Sequence, residues 1–382
     1  MKFVTLLEGA KNVHLMKGVG QIPYQMHKRY GYDSRIVCFN NGPYTYLSRE
    51  LNGLKQTFLR RFFGFRAKYP ATVLFLLNEA AGIDILHLTH IKKRTILYGL
   101  WYLFLNPQGI LYYKLDDPHG KVTFRLGSLP GPLRGIVKRL GQTALRRCSL
   151  VSVETRFALR GVGKILAGKA ILVPNAVDED HVVNCGIRVR PCVEKDETVL
   201  LVGRHGQRSK NSELMLKALE NMEPGPWKFV FAGKCGPRFV SARETLLGRR
   251  PDLAQKVILT GYIERKRELY ELYNSARIIC LPSRSEGCPN VVVEAIYFGV
   301  VPLMTSHLPA AWDLTDGGNA GVMFDSDDVE QLRAALSRLM ADSEDLERRY
   351  ERGMALARRD YVWGRIAVLI HDGIRQAGRS AP

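Results

Sequence analysis

The chain has 382 residues, too many for one ordinary hydrophobic core and suited to two domains of roughly 150–200 residues each. At 46% hydrophobic and 24% charged residues, its composition is that of a globular protein and excludes a disordered or fibrous one. The formal net charge of +19 is confined: residues 1–175 hold 27 Lys and Arg against 8 Asp and Glu, and the rest hold 29 against 29. A basic half of this kind expects a polyanionic partner, which is nucleic acid, an anionic membrane or a phosphorylated substrate.

Taken in chain order, Met1–Leu7 reads as a short strand broken by Glu8-Gly9, not as a signal peptide. Strands are predicted near Lys2–Leu7, Arg35–Phe39, Ile85–Leu88, Ile110–Leu115, Leu150–Val153 and Ala170–Val173. Between Leu51 and Ala71, apolar Leu54, Phe58, Phe62 and Phe65 recur at helical spacing among Lys55, Arg60, Arg61, Arg66 and Lys68. That pattern fits either an interfacial helix lying in anionic headgroups or a helix whose aromatics face the core. The apolar run Thr95–Leu105, bounded by Lys92-Lys93-Arg94 and Asn106-Pro107, falls short of the ~18 residues that a membrane span needs. Gly161-Val162-Gly163 fails as a dinucleotide fingerprint, because Leu166 stands where the third glycine belongs.

Val173-Pro174-Asn175-Ala176-Val177-Asp178 ends a strand with two turn formers and leads into an acidic stretch, which makes it the expected domain boundary. Beyond it, strands are predicted at Thr198–Val202, Lys228–Ala232, Lys256–Leu259, Arg277–Leu281, Val300–Met304 and Gly321–Phe324. Met215, Ala218, Leu219 and Met222 follow the spacing of a core-facing helix. Asp325-Ser326-Asp327 spells a metal-binding pattern, yet its place between a strand and Val329-Glu330-Gln331-Leu332 makes it an N-cap cluster. Tyr361, Trp363, Ile366, Ala367 and Ile370 mark a terminal amphipathic helix. Strands alternate with helices throughout, which predicts parallel α/β architecture. The seven cysteines are scattered without a paired spacing, so a reducing cytoplasm is expected, with Cys38, Cys148 and Cys280 in the core.

Some of these residues suit one chemistry. A nucleotide-diphospho-sugar carries a diphosphate that needs cations or N–H donors. Arg204 and Lys210 lie in the loop after the strand Thr198–Val202, where open α/β sheets bind ligands, and both suit phosphate oxygens. Pro289 suits the first turn of a helix, leaving the N–H groups of Cys288, Asn290 and Val291 near a helix N-terminus that attracts phosphate. Glu286 would sit before that helix and Glu294 more than a turn inside it, so one carboxylate can reach a sugar and the other a ribose.

The segment Val173–Asp178 resembles the interdomain hinge of family 4 retaining glycosyltransferases. The likeness continues through Val199–Arg204 (including Gly203), Lys210-Asn211 and Phe231-Ala232-Gly233, and peaks at Ser285-Glu286-Gly287-Cys288-Pro289-Asn290-Val291-Val292-Val293-Glu294-Ala295. That last run is similar to the family's E-x7-E signature. The first third of the chain resembles capsule and exopolysaccharide transferases more loosely. The resemblance implies the GT-B fold, two Rossmann-like domains facing each other across a cleft. Residues 1–175 would bind acceptor and 176–359 the nucleotide-sugar, with the helix of 360–382 packing back on the first domain. It further implies that Glu286 contacts donor-sugar hydroxyls and Glu294 the ribose diol. Gly203, Arg204, Lys210, Gly287, Cys288, Asn290 and Val291 would complete the donor site. Cys288 replaces a bulkier residue found in many relatives. The histidine that relatives carry after a strand of the first domain is absent from its place in Tyr112–His119; Asp116 and His119 are the nearest polar candidates for handling the acceptor hydroxyl, and a simple Asp-Asp-Pro turn is an equal reading.

The activity implied is retaining, metal-independent transfer from a UDP- or GDP-type donor to a glycan, lipid-linked in many relatives, during surface polysaccharide synthesis. No metal or organic cofactor is expected. The location implied is the cytoplasm, with a peripheral position at the membrane. A sugar-nucleotide epimerase of the same fold is the alternative among enzymes. A basic nucleic-acid-binding protein with a vestigial nucleotide pocket is the alternative of another class, although no recognition motif of that kind is present.

Overall fold

A computed structural model of the chain describes residues 1–60, 69–115, 131–163, 166 and 168–379. It divides into two compact units. The first comprises Met1–Asn175 together with Gly364–Pro382, and the second Ala176–Trp363.

The sheet of the first unit has seven strands: β1 Lys2–Leu6, β2 Asp33–Cys38, β3 Lys55–Phe58, β4 Ile85–Thr89, β5 Ile110–Leu115, β6 Leu150–Val153 and β7 Ala170–Leu172. They lie in the order β3-β2-β1-β4-β5-β6-β7, and all pairs are parallel. A parallel strand covered by helices on both faces reads as a continuous apolar run, and β4 and β5 are buried along their whole length. One core gathers Leu86, Leu111 and Val151 from the sheet with Leu76, Ile96, Tyr102 and Leu145 from the helices Tyr69–Glu79, Lys93–Leu105 and Gly131–Arg147.

One predicted element is corrected here. No single helix runs over 51–71, because Lys55–Phe58 is a strand that pairs in register with Arg35–Cys38 of β2. Leu54 and Phe58 share a helical spacing but not an environment: Leu54 is buried beside Leu51, whereas Phe58 is 46% exposed. Phe62, Phe65, Arg61, Arg66 and Lys68 lie outside the described residues.

The second unit has a six-stranded parallel sheet: β8 Asp196–Val202, β9 Lys228–Ala232, β10 Val257–Gly261, β11 Ala276–Leu281, β12 Val301–Thr305 and β13 Val322–Phe324, in the order β10-β9-β8-β11-β12-β13. Separate cores cover its two faces. Helices Glu213–Glu220, Pro237–Arg249 and Val329–Ala341 lie on one, and Asn290–Tyr297 packs in the other. Two parallel α/β sheets of this kind are the GT-B architecture.

The final helix runs from Trp363 to Arg379. Tyr361 ends the preceding helix, because Val177 pairs with Val362 in a short bridge that breaks the helical course. From Gly364 the helix belongs to the first unit, where Ile366, Ile370 and Ile374 are buried. His371 stacks on Tyr30 with ring centroids 3.9 Å apart, and its Nδ1 lies 3.0 Å from the Tyr32 hydroxyl. Replacing Ile374, which is fully buried, with Ala should destabilise this unit by about 2–5 kcal/mol. Urea unfolding would measure the loss, and a cost below about 0.5 kcal/mol would show that the helix does not seal this core.

Candidate functional site

Strand order fixes where a site can form in the second unit. The chain winds from β8 outward to β9 and β10, then returns to the other side of β8 with β11. The loops after β8 and β11 therefore diverge at a topological switch point, the usual ligand position in open α/β sheets. These two loops carry Arg204, Lys210 and Glu286.

Lys210 and Glu286 meet there. The Lys210 ammonium donates to Glu286 Oε1, which also accepts from the buried Ser283 hydroxyl at 3.1 Å. Both charged side chains are largely withdrawn from solvent, so each neutralises the other across the switch point. Arg204, on the same loop as Lys210, is exposed and makes no ion pair with another described residue. The loop thus carries one exposed guanidinium and one member of an internally satisfied pair. Gly203 opens the first loop and Gly287 lies late in the second, and both are half-buried.

The helix after the second loop spans Asn290–Tyr297, with Pro289 as its N-cap. Proline thus stands one position ahead of the first turn. Its ring has no N–H to lose, and its carbonyl accepts from the N–H groups of Val292 and Val293 at 3.1 and 3.2 Å. The N–H groups of Asn290 and Val291 are left as the helix's outward donors among the described residues. Cys288 is buried in the loop, packed in the core on that face of the sheet.

Glu294 is not brought into the Lys210–Glu286 pair. It is buried, and its Oε1 accepts from Lys266 Nζ at 2.5 Å. Burial, and next the Glu294 carboxylate, push the neighbouring Tyr273 hydroxyl well above its ordinary range. Lys266 is a partner that sequence reasoning missed. It stands in the charged run Glu264-Arg265-Lys266-Arg267, and nothing local separates it from a solvated helix start.

His205 was also missed. Its ring is buried against Phe231 and Phe239, with Nδ1 2.9 Å from Ser212 Oγ and Nε2 3.3 Å from the Ala232 carbonyl. Those partners fit a neutral ring that donates from Nε2 and accepts at Nδ1. Burial, with the Lys210 charge adding to it, holds the imidazole down to about 4. The ring pins the loop that carries Arg204 and Lys210 to β9.

Asp325-Ser326-Asp327 is divided among several roles. The N-cap is Asp328, whose carboxylate accepts from Gln331 N at 2.9 Å. Asp327 instead pairs with Arg284, Nε to Oδ2 at 2.9 Å, and accepts from Asn211 Nδ2 at 3.1 Å. Asp325 accepts from Ser306 at 2.9 Å. Asp116 and His119 lie outside the described residues. Across the switch point of the first unit, Glu8 in the loop after β1 accepts from Thr72 and Tyr98 at 2.7 Å and pairs with Arg94 at 2.9 Å, so its carboxylate is committed.

Residues 196–342 match the family described as Glycosyl transferases group 1, so the second unit carries a domain of that kind. Over 152 residues the chain is 32% identical to an α-1,4-N-acetyl-D-galactosaminyltransferase of Campylobacter jejuni whose named substrate is a glycan on diphospho-undecaprenol. It is also 30% identical over 84 residues to an uncharacterized glycosyltransferase of Haemophilus influenzae. The matches span 39% and 22% of this chain, and 40% and 24% of those proteins. The fold is shared with HepE of Anabaena solved with UDP, at a TM-score of 0.72 and 15% identity over 98% of this chain and 100% of that one. It is shared as well with the lipopolysaccharide outer core galactosyltransferase WaaB, at a TM-score of 0.68 and 15% identity over 99% of each.

Two outcomes follow from the loop geometry. An unfolded histidine titrates near 6.5, so the unfolded state binds a proton that His205 refuses when folded. The stability conferred by the neutral ring is complete above about pH 6.5 and falls between there and pH 4, by on the order of 3 kcal/mol. Melting curves of the wild type and His205→Gln across that window would show the slope in the former only. Gly233 has φ of +136°, and a Cβ there would lie 1.8 Å from the Gly203 carbonyl oxygen. Gly233→Ala should therefore cost about 2–4 kcal/mol and displace the Gly203 loop, read as a lowered melting temperature.

Proposed function

We propose that this chain is a retaining glycosyltransferase of the family 4 kind, moving a sugar from a UDP- or GDP-type donor to a lipid-linked glycan in surface polysaccharide synthesis. The observation that carries the reading is the Lys210–Glu286 pair at the switch point of β8 and β11, with Arg204 exposed on the same loop as Lys210. An incoming diphosphate offers Lys210 and Arg204 two negative charges. Lys210 then exchanges a carboxylate for phosphate oxygens, which releases Glu286 to accept hydrogen bonds from sugar hydroxyls. The N–H groups of Asn290 and Val291 give the diphosphate further donors that need no reorganisation. In this reading Glu294, preset by Lys266, accepts from the ribose diol.

During transfer the bond from the anomeric carbon to the diphosphate breaks. The bond to the acceptor oxygen forms on the same face, and the leaving diphosphate takes the acceptor's proton. The side chains of Arg204 and Lys210 stabilise the charge that develops on that leaving group, the role a divalent metal plays elsewhere. The first unit is assigned the acceptor, and its excess of cations suits a diphospho-lipid held at an anionic membrane face. The named substrate of the Campylobacter relative supports such an acceptor.

Titration calorimetry with UDP and GDP tests the donor site. Arg204→Ala and Lys210→Ala should each weaken binding of the preferred nucleotide by ~10- to 100-fold; the melting temperature should stay near that of the wild type in Arg204→Ala and fall in Lys210→Ala, which leaves Glu286 without its partner. Wild-type affinity in both variants would remove the donor site from this loop. Proton NMR of the glycoside formed from a nucleotide-sugar would test retention, and inversion at the anomeric carbon would exclude the same-face course.

A further inference from the structure

One face of the first unit's sheet is covered by the helices Tyr69–Glu79, Lys93–Leu105 and Gly131–Arg147, which pack side by side. Their inner sides close the core through Leu76, Ile96, Tyr102 and Leu145. Their outer sides are unusual for a surface. Leu77, Leu97, Trp101, Phe104, Leu133 and Ile136 are all exposed, Phe104 by 75%, and Trp101 meets Phe104 edge-on at 6.0 Å. Leu97, Trp101 and Phe104 recur at i, i+4, i+7 on the helix Lys93–Leu105, whose opposite side is the buried one. Singly exposed apolar residues need no explanation, but a group of them on adjoining helices marks an interaction surface.

The charge around this group is mainly positive. The helices Lys93–Leu105 and Gly131–Arg147 contain seven Lys and Arg and no Asp or Glu, and the one acid of Tyr69–Glu79, Glu79, is paired with Arg35. Lys92, Lys138, Arg139, Arg146 and Arg147 are exposed. A nucleic acid would be drawn by the cations but gains little from exposed Leu and Ile. A protein partner would match the apolar group, without accounting for so uniform a charge. Aromatic and aliphatic side chains rimmed by cations fit a bilayer surface, where rings enter the headgroup boundary and ammonium groups meet anionic lipid.

We propose that the outer face of these three helices seats the protein on an anionic membrane, with Trp101 and Phe104 inserted and Lys138 and Arg139 in the headgroup layer. This places the membrane contact chiefly on Trp101, Phe104, Lys138 and Arg139, outside the aromatic run at 51–71. It locates the peripheral membrane position of the proposed function, yet binding to lipid needs neither donor nor acceptor, so the two fail separately.

The test is co-sedimentation of the full chain with vesicles of phosphatidylcholine, with and without phosphatidylglycerol. Binding is expected to the anionic vesicles and to be weakened by salt. Trp101→Ser with Phe104→Ser, and separately Lys138→Glu with Arg139→Glu, should each reduce it by ~tenfold or more. UDP affinity should be unchanged in both variants, and the melting temperature unchanged in Lys138→Glu with Arg139→Glu, whose side chains are exposed; Trp101 is 40% exposed, so its variant should melt lower while remaining folded at the assay temperature. Absence of binding to anionic vesicles, or undiminished binding by both variants, overturns the proposal. So does a self-association abolished by the Trp101 and Phe104 changes, which would make a second copy the occupant. Tighter binding to duplex DNA than to anionic vesicles, insensitive to the aromatic changes, would likewise overturn it.

Discussion

The reversal of winding beside a central parallel strand is the constraint on which the site of the second unit depends. Parallel strands need crossover helices, and the helices of consecutive strands cover one face until the winding direction changes. At β8 and β11 the change leaves two loops with no helix between them, one bearing Lys210 and the other Glu286. The close approach of Gly233 to the Gly203 carbonyl and the buried His205 ring then hold the first loop against β9. Without that topology, two residues so far apart in sequence would have no reason to meet.

The charges of this site are arranged in pairs before any ligand arrives. Lys210 faces Glu286, and Lys266 faces Glu294, each pair largely buried. Burying either carboxylate alone would cost several kcal/mol, so the pairs make the free state tolerable. Their consequence for binding differs. In the proposed function the pair at the switch point, with Arg204 exposed on the same loop as Lys210, exchanges partners with an incoming anion. The Glu294 pair, deeper against Tyr273, is set to present one fixed carboxylate geometry.

The first unit shows the same economy at the corresponding end of its sheet. Lys114, buried at the end of β5, is paired with Glu154 at 2.5 Å, and Glu8 is shared by Thr72, Tyr98 and Arg94. These acids lie inside while the cations dominate the outer helices. Seven of the 27 Lys and Arg in residues 1–175 stand on Lys93–Leu105 and Gly131–Arg147, the helices that also expose Trp101, Phe104, Leu133 and Ile136.

Much of the architecture was legible because burial leaves a local trace. Apolar runs such as Ile110–Leu115 and Lys228–Ala232 are strands along the predicted residues, since parallel strands buried on both faces cannot alternate. The places of Arg204, Lys210 and Glu286 in the loops after two strands were legible through motif spacing and strand placement. Lys55–Phe58 was not, because a short edge strand with mixed polarity carries no more periodic signal than the helical coincidence of Leu54 and Phe58. The sequence by itself determined two α/β halves, the loop positions of the charged residues and the location of the excess charge. Tertiary structure alone decided that Lys210 meets Glu286, 76 positions away, that Lys266 takes Glu294, and that Asp327 takes Arg284 while Asp328 caps the helix. Periodicity reports how each segment is buried, but the choice of partner depends on strand order, which no local pattern encodes.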